Sequence, residues 1–168
     1  MRIDVRKSRE FQAAIIAVRQ LDKTLRKMVR QHTKAIVEPA WSQALTRRAS
    51  TSLERRVIVS TAVVAASDRN VTVRAASKGR PLSGGLNPKA DYPAVEFGAS
   101  QGTTTYRRRS PRGTTHTVTR HATRQLRARN ANGYVFYPAA AEMVPRVAAL
   151  FVQTVVKTIA NAIEGKQE

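Results

Sequence analysis

The residues best suited to chemistry in this chain are arginines, and they are concentrated in one segment. Residues 101–130 carry eight arginines and no Asp or Glu. Guanidinium groups bind phosphates and carboxylates through paired hydrogen bonds, so this segment suits an anionic partner. The residues predicted to contact a neighbouring protein or DNA are Arg107, Arg108, Arg109, Arg112, Arg120, Arg124, Arg127 and Arg129.

The residues that could act as acids, bases or metal ligands are scattered. His116 and His121 are five residues apart with no carboxylate nearby in sequence, which is weak support for a metal site. Glu96 could be a general acid with a shifted pKa, but a strand-end carboxylate paired with an arginine is the favoured role. The chain has no Cys, and it has no nucleophile elbow, phosphate-binding loop or dinucleotide fingerprint. We therefore predict no enzyme activity, no cofactor and no bound metal.

The net charge and the length of the chain limit the classes of protein to which it can belong. The 168 residues include 30 Lys and Arg against 11 Asp and Glu, a formal net charge of +19. Most of this surplus lies in residues 1–56 and 101–130, whereas residues 131–168 are neutral and rich in Ala and Val. A field of this size favours polyanions or acidic protein surfaces as partners. We expect a single domain over residues 1–168, and no membrane partner, because the apolar runs fall short of the ~20 residues that span a bilayer.

Residues 1–56 are predicted to form a basic N-terminal helical segment. Apolar residues recur every three or four positions from Phe11 to Val37, with Ser8 as N-cap and Pro39 ending or kinking the helix. A helix of about 30 residues is roughly 45 Å long, which exceeds the diameter of a compact domain of this size. We expect a neighbouring copy to cover part of the apolar stripe, rather than the helix bending around its own core.

Residues 57–100 are predicted to form a hairpin and one further strand. Runs rich in β-branched residues at 57–64 and 71–75 flank turn-forming residues at 67–70, which is typical of an antiparallel hairpin. After a loop rich in Gly and Pro, residues 92–97 have the composition of a short strand.

The arginine-rich segment 101–130 has few apolar side chains and many threonines. It is predicted to be a long polar β-hairpin with its turn at 110–113, or a loop that becomes one on assembly. A solvated surface arm without a partner is the alternative. We favour a binding role because acid-free arginines repel one another unless a partner neutralises them.

Residues 131–168 are predicted to form a strand and the C-terminal helix. The pair 132–133 is a turn, 134–137 is an aromatic strand, and Pro138 opens a helix that Gly165 ends. The side chains predicted to form an oligomer interface on this helix are Val147, Phe151 and Val155. The predicted fold is therefore α+β, with long N-terminal and C-terminal helices packed on a small antiparallel sheet.

Two short stretches resemble a known family. Residues 91–99, DYPAVEFGA, resemble a "Y…xEFGT" motif of the tail-component family of HK-type siphophages, whose members are tail-completion, neck or tail-terminator-like proteins. Residues 134–139, YVFYPA, resemble its "PFxxPA" element, which leads into a terminal helix. The matching residues, read as structural, are Tyr92, Glu96, Phe97, Gly98, Phe136, Pro138 and Ala139.

The resemblance implies a tail-terminator-like fold and a virion structural protein at the head–tail junction. We expect a homo-oligomer, a hexameric ring that terminates or completes the tail and joins it to the head connector. Its partners would be neighbouring neck and tail-tube proteins and DNA passing through the lumen, in the virion and, during assembly, in the host cytoplasm. The alternatives are a tail-completion factor distinct from the terminator ring and a sequence-nonspecific nucleic-acid-binding protein.

Overall fold

The computed structural model describes residues 2–4, 9–122 and 125–164, with side chains at 9–121 and 125–164. These residues form five strands, five α-helices and a short 3₁₀ turn at Val59–Thr61. In chain order the elements are β1 (Arg2–Asp4), α1 (Arg9–Gln20), α2 (Lys23–Arg48), α3 (Ser52–Val57), β2 (Val63–Ala66), β3 (Val71–Arg74), α4 (Pro88–Phe97), β4 (Gly102–Arg109), β5 (Thr115–Ala122) and α5 (Phe136–Ile163). The predicted α+β class is confirmed.

The central sheet has three antiparallel strands in the order β1–β3–β2. Strands β2 and β3 pair from Val63 opposite Arg74 to Ala66 opposite Val71, so the predicted hairpin is present with a shorter first strand. Val57 ends α3, which a capping box between Thr51 and Glu54 starts, and Val59–Thr61 form the 3₁₀ turn before β2. The third strand, β1, comes from the N-terminus and was missed by the sequence analysis.

The prediction of one continuous N-terminal helix that stops or kinks at Pro39 was wrong. Helix α1 ends at Gln20, and Asp22 caps α2 by accepting hydrogen bonds from the backbone N–H groups of Thr24 and Leu25. Pro39 lies inside α2, which continues to Arg48. The Asp22 side chain starts a new helix because it binds the free N–H groups of its first turn. Pro39 does not end α2 because tertiary packing stabilises the helix on both sides of it. The predicted N-cap, Ser8, lies outside the described residues.

The core lies where α1, α2 and the sheet meet α5. Phe11 of α1 contacts Phe151 of α5 with ring centroids 4.8 Å apart. Trp41 of α2 meets Phe136 edge to face at 5.4 Å, and its indole N–H donates to the carbonyl oxygen of Arg74 at 3.1 Å. Helix α5 of the same chain thus covers much of the apolar stripe of the N-terminal helices, while Ile16 and Ile36 of these helices stay exposed. Coverage of the remaining part by a neighbouring copy stays a prediction.

The predicted oligomer interface on α5 was also wrong. Val147, Phe151 and Val155 are all buried inside the chain. They share the face of α5 that packs on α1 and α2, so their helical spacing marks the core and not an external contact.

Two predicted strands have other structures, since the first is helical and the second is a bend that leads into a helix. Residues 92–97 belong to α4, where Pro88 occupies the first position and the Asn87 side chain accepts a hydrogen bond from the N–H of Lys89 at 3.0 Å. Residues 134–137 lead into α5, whose first residue is Phe136, so Pro138 is the third residue and does not open the helix. Short aromatic runs occur in both buried strands and buried helices, and composition did not separate them here. The predicted helix end at Gly165 lies outside the described residues.

Among the described helices, α5 alone has the length and apolar composition of a segment able to cross a bilayer. Ten of its side chains are buried against the rest of the fold. The same composition is expected of a helix in the centre of a core.

Candidate anion-binding hairpin

Strands β4 and β5 form a second sheet that shares no strand with the central one. They pair in antiparallel register from Gly102 opposite Ala122 to Arg109 opposite Thr115, and residues 110–114 make the turn. At ~3.4 Å per residue, eight paired positions give a ribbon about 27 Å long. Every residue of β4 is exposed, so the ribbon extends away from the core. We call residues 102–122 the cationic hairpin.

The arginines of the cationic hairpin are distributed over both of its faces. Side chains alternate along a strand, so Arg107 and Arg109 project from one face while Arg108 projects from the other. Arg120 is opposite Thr104 and therefore shares the face of Arg108. Positive charge thus covers both sides of the ribbon.

Cross-strand side-chain pairs stabilise the ribbon in place of an apolar core. The guanidinium of Arg120 lies 5.7 Å from the ring centroid of Tyr106. At the opposite face, the Thr103 hydroxyl and the Nδ1 atom of His121 are 3.0 Å apart. These contacts are exposed, and each contributes roughly 1 kcal/mol or less.

In the described part of the chain, no acidic side chain forms an ion pair with an arginine of the cationic hairpin. Residues 97–141 contain no Asp or Glu, and none of the ion pairs among the described residues includes a hairpin arginine. Some arginines elsewhere do form ion pairs: Arg30 lies 2.9 Å from Asp68, and Arg48 lies 3.2 Å from Glu142. The hairpin is therefore the segment best suited to bind an external anion.

The predicted contact residues beyond β5 do not all belong to this surface. Arg127 folds back on the body, where its guanidinium lies 3.6 Å from the ring centroid of Tyr134 and 3.4 Å from a carboxylate oxygen of Glu54. These contacts give it a structural role within the chain, and its contact with a partner stays a prediction. Arg129 is exposed near the base of the hairpin, and Arg124 lies outside the described residues.

The two ends of the hairpin segment are joined to each other by backbone contacts, which we call the clamp. The N–H of Ala99 donates to the carbonyl oxygen of Arg127 at 3.0 Å, and the N–H of Asn130 donates to that of Phe97 at 2.8 Å. Gly98 lies between these bonds with φ of 68°. A Cβ atom there would collide with the carbonyl oxygens of residues 127 and 128. The clamp therefore requires glycine at position 98.

Glu96 connects the clamp to the core. Its side chain is fully buried, and its two carboxylate oxygens accept hydrogen bonds from the backbone N–H groups of Val135, Phe136 and Tyr137, the last two at 2.9 and 3.0 Å. These are the first N–H groups of α5, whose own N-cap residue, Val135, makes no side-chain bond. The prediction that Glu96 pairs with an arginine at a strand end was wrong, because it caps a helix from another helix.

Burial raises the pKa of the Glu96 carboxyl above its ordinary value of 4.5. The hydrogen bonds from Phe136, Tyr137 and Val135 oppose this shift, and the negative charge of Glu54 adds to it. The contacts described for Glu96 are with backbone N–H groups at the start of α5, and they do not support a role as general acid. Its contacts are those of a structural cap.

The two stretches that resemble the tail-component family meet at this point. The rings of Phe97 and Tyr137 are 5.4 Å apart, and Glu96 bonds the start of α5. Tyr92 is half-buried against the core, and Ala139 is buried. Glu96 and Phe97 of the first stretch therefore contact Phe136 and Tyr137 of the second, and these four residues lie in helices and not in strands.

Glu54 is a buried acid that the sequence analysis missed. Its carboxylate accepts hydrogen bonds from the N–H groups of Ser50 at 2.8 Å and Thr51 at 2.9 Å, besides its contact with Arg127. The signal was present, since Thr51 followed three residues later by Glu54 is the capping-box pattern.

The histidines considered for a metal site do not converge. His116 shares the face of Arg108, whereas His121 lies on the other face opposite Thr103. Among the described residues no group of three or more His, Asp or Glu could hold a metal ion.

Comparison of the chain with known protein families, curated proteins and solved structures finds no match.

Substitution of Gly98 tests the clamp. We expect Gly98→Ala to lower the free energy of unfolding by about 2–4 kcal/mol, because alanine at positive φ is strained and its methyl group meets two carbonyl oxygens. The control is Gly102→Ala, where nothing lies within 4 Å of an added methyl group, and the change should stay within about 0.5 kcal/mol. Urea denaturation measures both. Equal effects of the two variants would contradict the clamp.

Substitution of Glu96 tests the cap. We expect Glu96→Gln to lower the free energy of unfolding by about 1–3 kcal/mol, because an amide has one acceptor oxygen for three buried N–H groups. Glu142→Gln, an exposed change on α5, should cost about 0.5 kcal/mol or less.

The pH dependence follows from the raised pKa of Glu96. Between pH 4.5 and that raised value the folded state holds a proton that the unfolded state has released. The stability contributed by Glu96 is full below pH 4.5 and is lost as the pH rises through the folded-state pKa. The stability difference between wild type and Glu96→Gln should therefore shrink from pH 4 to 8 in denaturation curves. A difference that grows with pH would mean a lowered pKa.

Proposed function

We propose that this chain is a virion structural protein of the phage head–tail junction, forming a ring that terminates or completes the tail and joins it to the head connector. The resemblance to the tail-component family supplies the identity. The observation that carries the proposal is a cationic hairpin about 27 Å long that projects from a helical body and is fixed to it by the motif residues Glu96 and Gly98.

This arrangement suits a subunit that must reach a neighbour. The body holds the start of the hairpin in place, because the clamp joins its two ends by backbone hydrogen bonds and the Glu96 cap beside it is buried. The hairpin itself offers exposed guanidinium groups rather than a pocket. Binding would occur over an extended surface, as assembly contacts require.

Contacts between copies would use apolar side chains left exposed on the helices. Ile16 is 58% exposed on α1, and Val156 and Ile163 are 61% and 81% exposed on α5. A net charge of +19 opposes close association of copies. Ring formation is therefore expected to depend on anionic neighbours, such as acidic surfaces of neck and tail-tube proteins or DNA in the lumen.

A sequence-nonspecific nucleic-acid-binding protein is the second candidate. It is favoured by the absence of acids from residues 97–141 and by the unpaired arginines of the hairpin. A tail-completion factor that is not part of the terminator ring would have the same features as the first candidate, and its position in the particle separates the two.

The test uses particles of the phage that encodes the chain. We expect antibody label at the junction of head and tail in electron micrographs, and separate filled heads and tails when the gene is disrupted. Complementation with the wild-type gene is the control and should restore joined particles. Two results together would contradict a neck protein and favour the nucleic-acid-binding candidate: no label at the junction of wild-type particles, and normally joined particles after disruption of the gene.

A further inference from the structure

We infer that the cationic hairpin is a binding site for duplex DNA and enters a groove of the duplex as a two-stranded ribbon. The inference rests on the proposed function, in which the hairpin is the partner-binding element, and it names the partner. Its support comes from the distribution of charge over the ribbon, its lack of apolar surface and its dimensions.

The first argument is that both faces of the ribbon carry arginines. Arg107 and Arg109 project from one face, and Arg108 and Arg120 from the other. A DNA groove places phosphates on two sides of an inserted element, so cations on both faces can be neutralised together. A flat acidic protein surface would cover one face and leave the arginines of the other without a partner.

The second argument is the composition of the ribbon. Its two large apolar side chains, Tyr106 and Val118, share one face, and its other positions are mostly threonine, arginine and histidine. Protein interfaces bury an apolar centre within a polar rim, which this ribbon lacks. Hydroxyl and guanidinium groups are the groups that proteins use on phosphate oxygens.

The third argument is size. The two strands are ~4.8 Å apart, and a B-DNA major groove about 12 Å wide admits a two-stranded ribbon. Threonines occupy much of the ribbon and have short side chains, which keeps it thin over most of its length.

A second copy of the chain does not offer the hairpin an acidic surface. Glu54 and Glu96 are buried, and Asp68 and Glu142 are paired with arginines. Asp22 caps α2, and the other described acids are few and dispersed. The anion that matches five hairpin arginines must therefore come from another molecule.

The experiment measures binding of the full chain to a random-sequence duplex of about 25 base pairs by fluorescence anisotropy, over a range of NaCl concentrations. With all five arginines on phosphates, the slope of log K against log salt should approach about −4.5. The variant Arg107→Gln/Arg108→Gln/Arg109→Gln should flatten this slope by about 2.7 and weaken binding at least about tenfold at low salt. An unchanged denaturation midpoint verifies that the variant is folded.

The matched control removes the same charge from another basic surface. Lys23, Lys27 and Lys34 are exposed on α2, and their triple change to Gln should leave the slope nearly unchanged. If this variant loses the slope and the hairpin variant keeps it, DNA binds the helix and the inference is overturned. Equal losses in both variants would also overturn it, because binding would then be diffuse.

Two competitors test the identity of the ligand. Polyglutamate at the same charge concentration should compete poorly, and a single strand with the same number of phosphates should bind more weakly than the duplex. Equal competition by polyglutamate would assign the hairpin to an acidic protein. Equal affinity for the single strand would overturn insertion into a groove.

Failure here is separable from failure of the proposed function. A chain that labels the head–tail junction but ignores duplex DNA at 50 mM salt would overturn the inference and leave the neck assignment in place. A chain that binds duplex DNA through the hairpin but is missing from particles would support the inference and overturn the neck assignment.

Discussion

The structure depends on one buried carboxylate. Glu96, at the end of α4, accepts the first backbone N–H groups of α5. The positive end of a helix is a favourable place for a carboxylate, and burial strengthens each bond while making the loss of any of them costly. Because α5 supplies the centre of the core, this contact decides where the core begins and how α4 approaches it. Gly133 is needed beside it, since a Cβ atom at that position would meet the Glu96 carboxylate.

The hairpin follows from this constraint. Once Glu96 is fixed, Phe97 and Ala99 present their backbone to residues 127–130, and Gly98 permits the close approach. The strands between these points need no core of their own, because their ends are already held together and loop closure has little further entropic cost. Adjacent arginines repel one another along this ribbon, so the body stabilises a conformation that the charges alone would oppose. A polyanion would remove that repulsion, which links the fold directly to binding.

Sequence reasoning predicted features that are set by local patterns. The α+β class and the turn at 67–70 follow from periodicity and turn residues, and the C-terminal helix follows from its apolar spacing. Sequence reasoning failed where tertiary contacts decide the structure. Residues 92–97 and 134–137 have strand-like composition, but residues 92–97 belong to α4 and residues 134–137 lead into α5, whose first N–H groups Glu96 binds. The apolar face that includes Val147 could equally have packed on another copy. Helical spacing shows that one face of a helix is buried, but it does not show which partner buries it. The sequence patterns around Glu54 and Asp22 are those of helix caps and could have been recognised. The absence of Asp and Glu from the hairpin segment was recognised from the sequence.

Amide hydrogen exchange at the start of α5, followed residue by residue by NMR, tests the central claim most directly. The first N–H groups of a helix lack intrahelical partners and ordinarily exchange quickly. If Glu96 holds them as described, Phe136 and Tyr137 should exchange as slowly as Met143 in the core, through global unfolding alone. Exchange of these two amides at the rate of exposed turn amides would contradict the account, because α5 would then begin without the cap that positions the clamp and the hairpin.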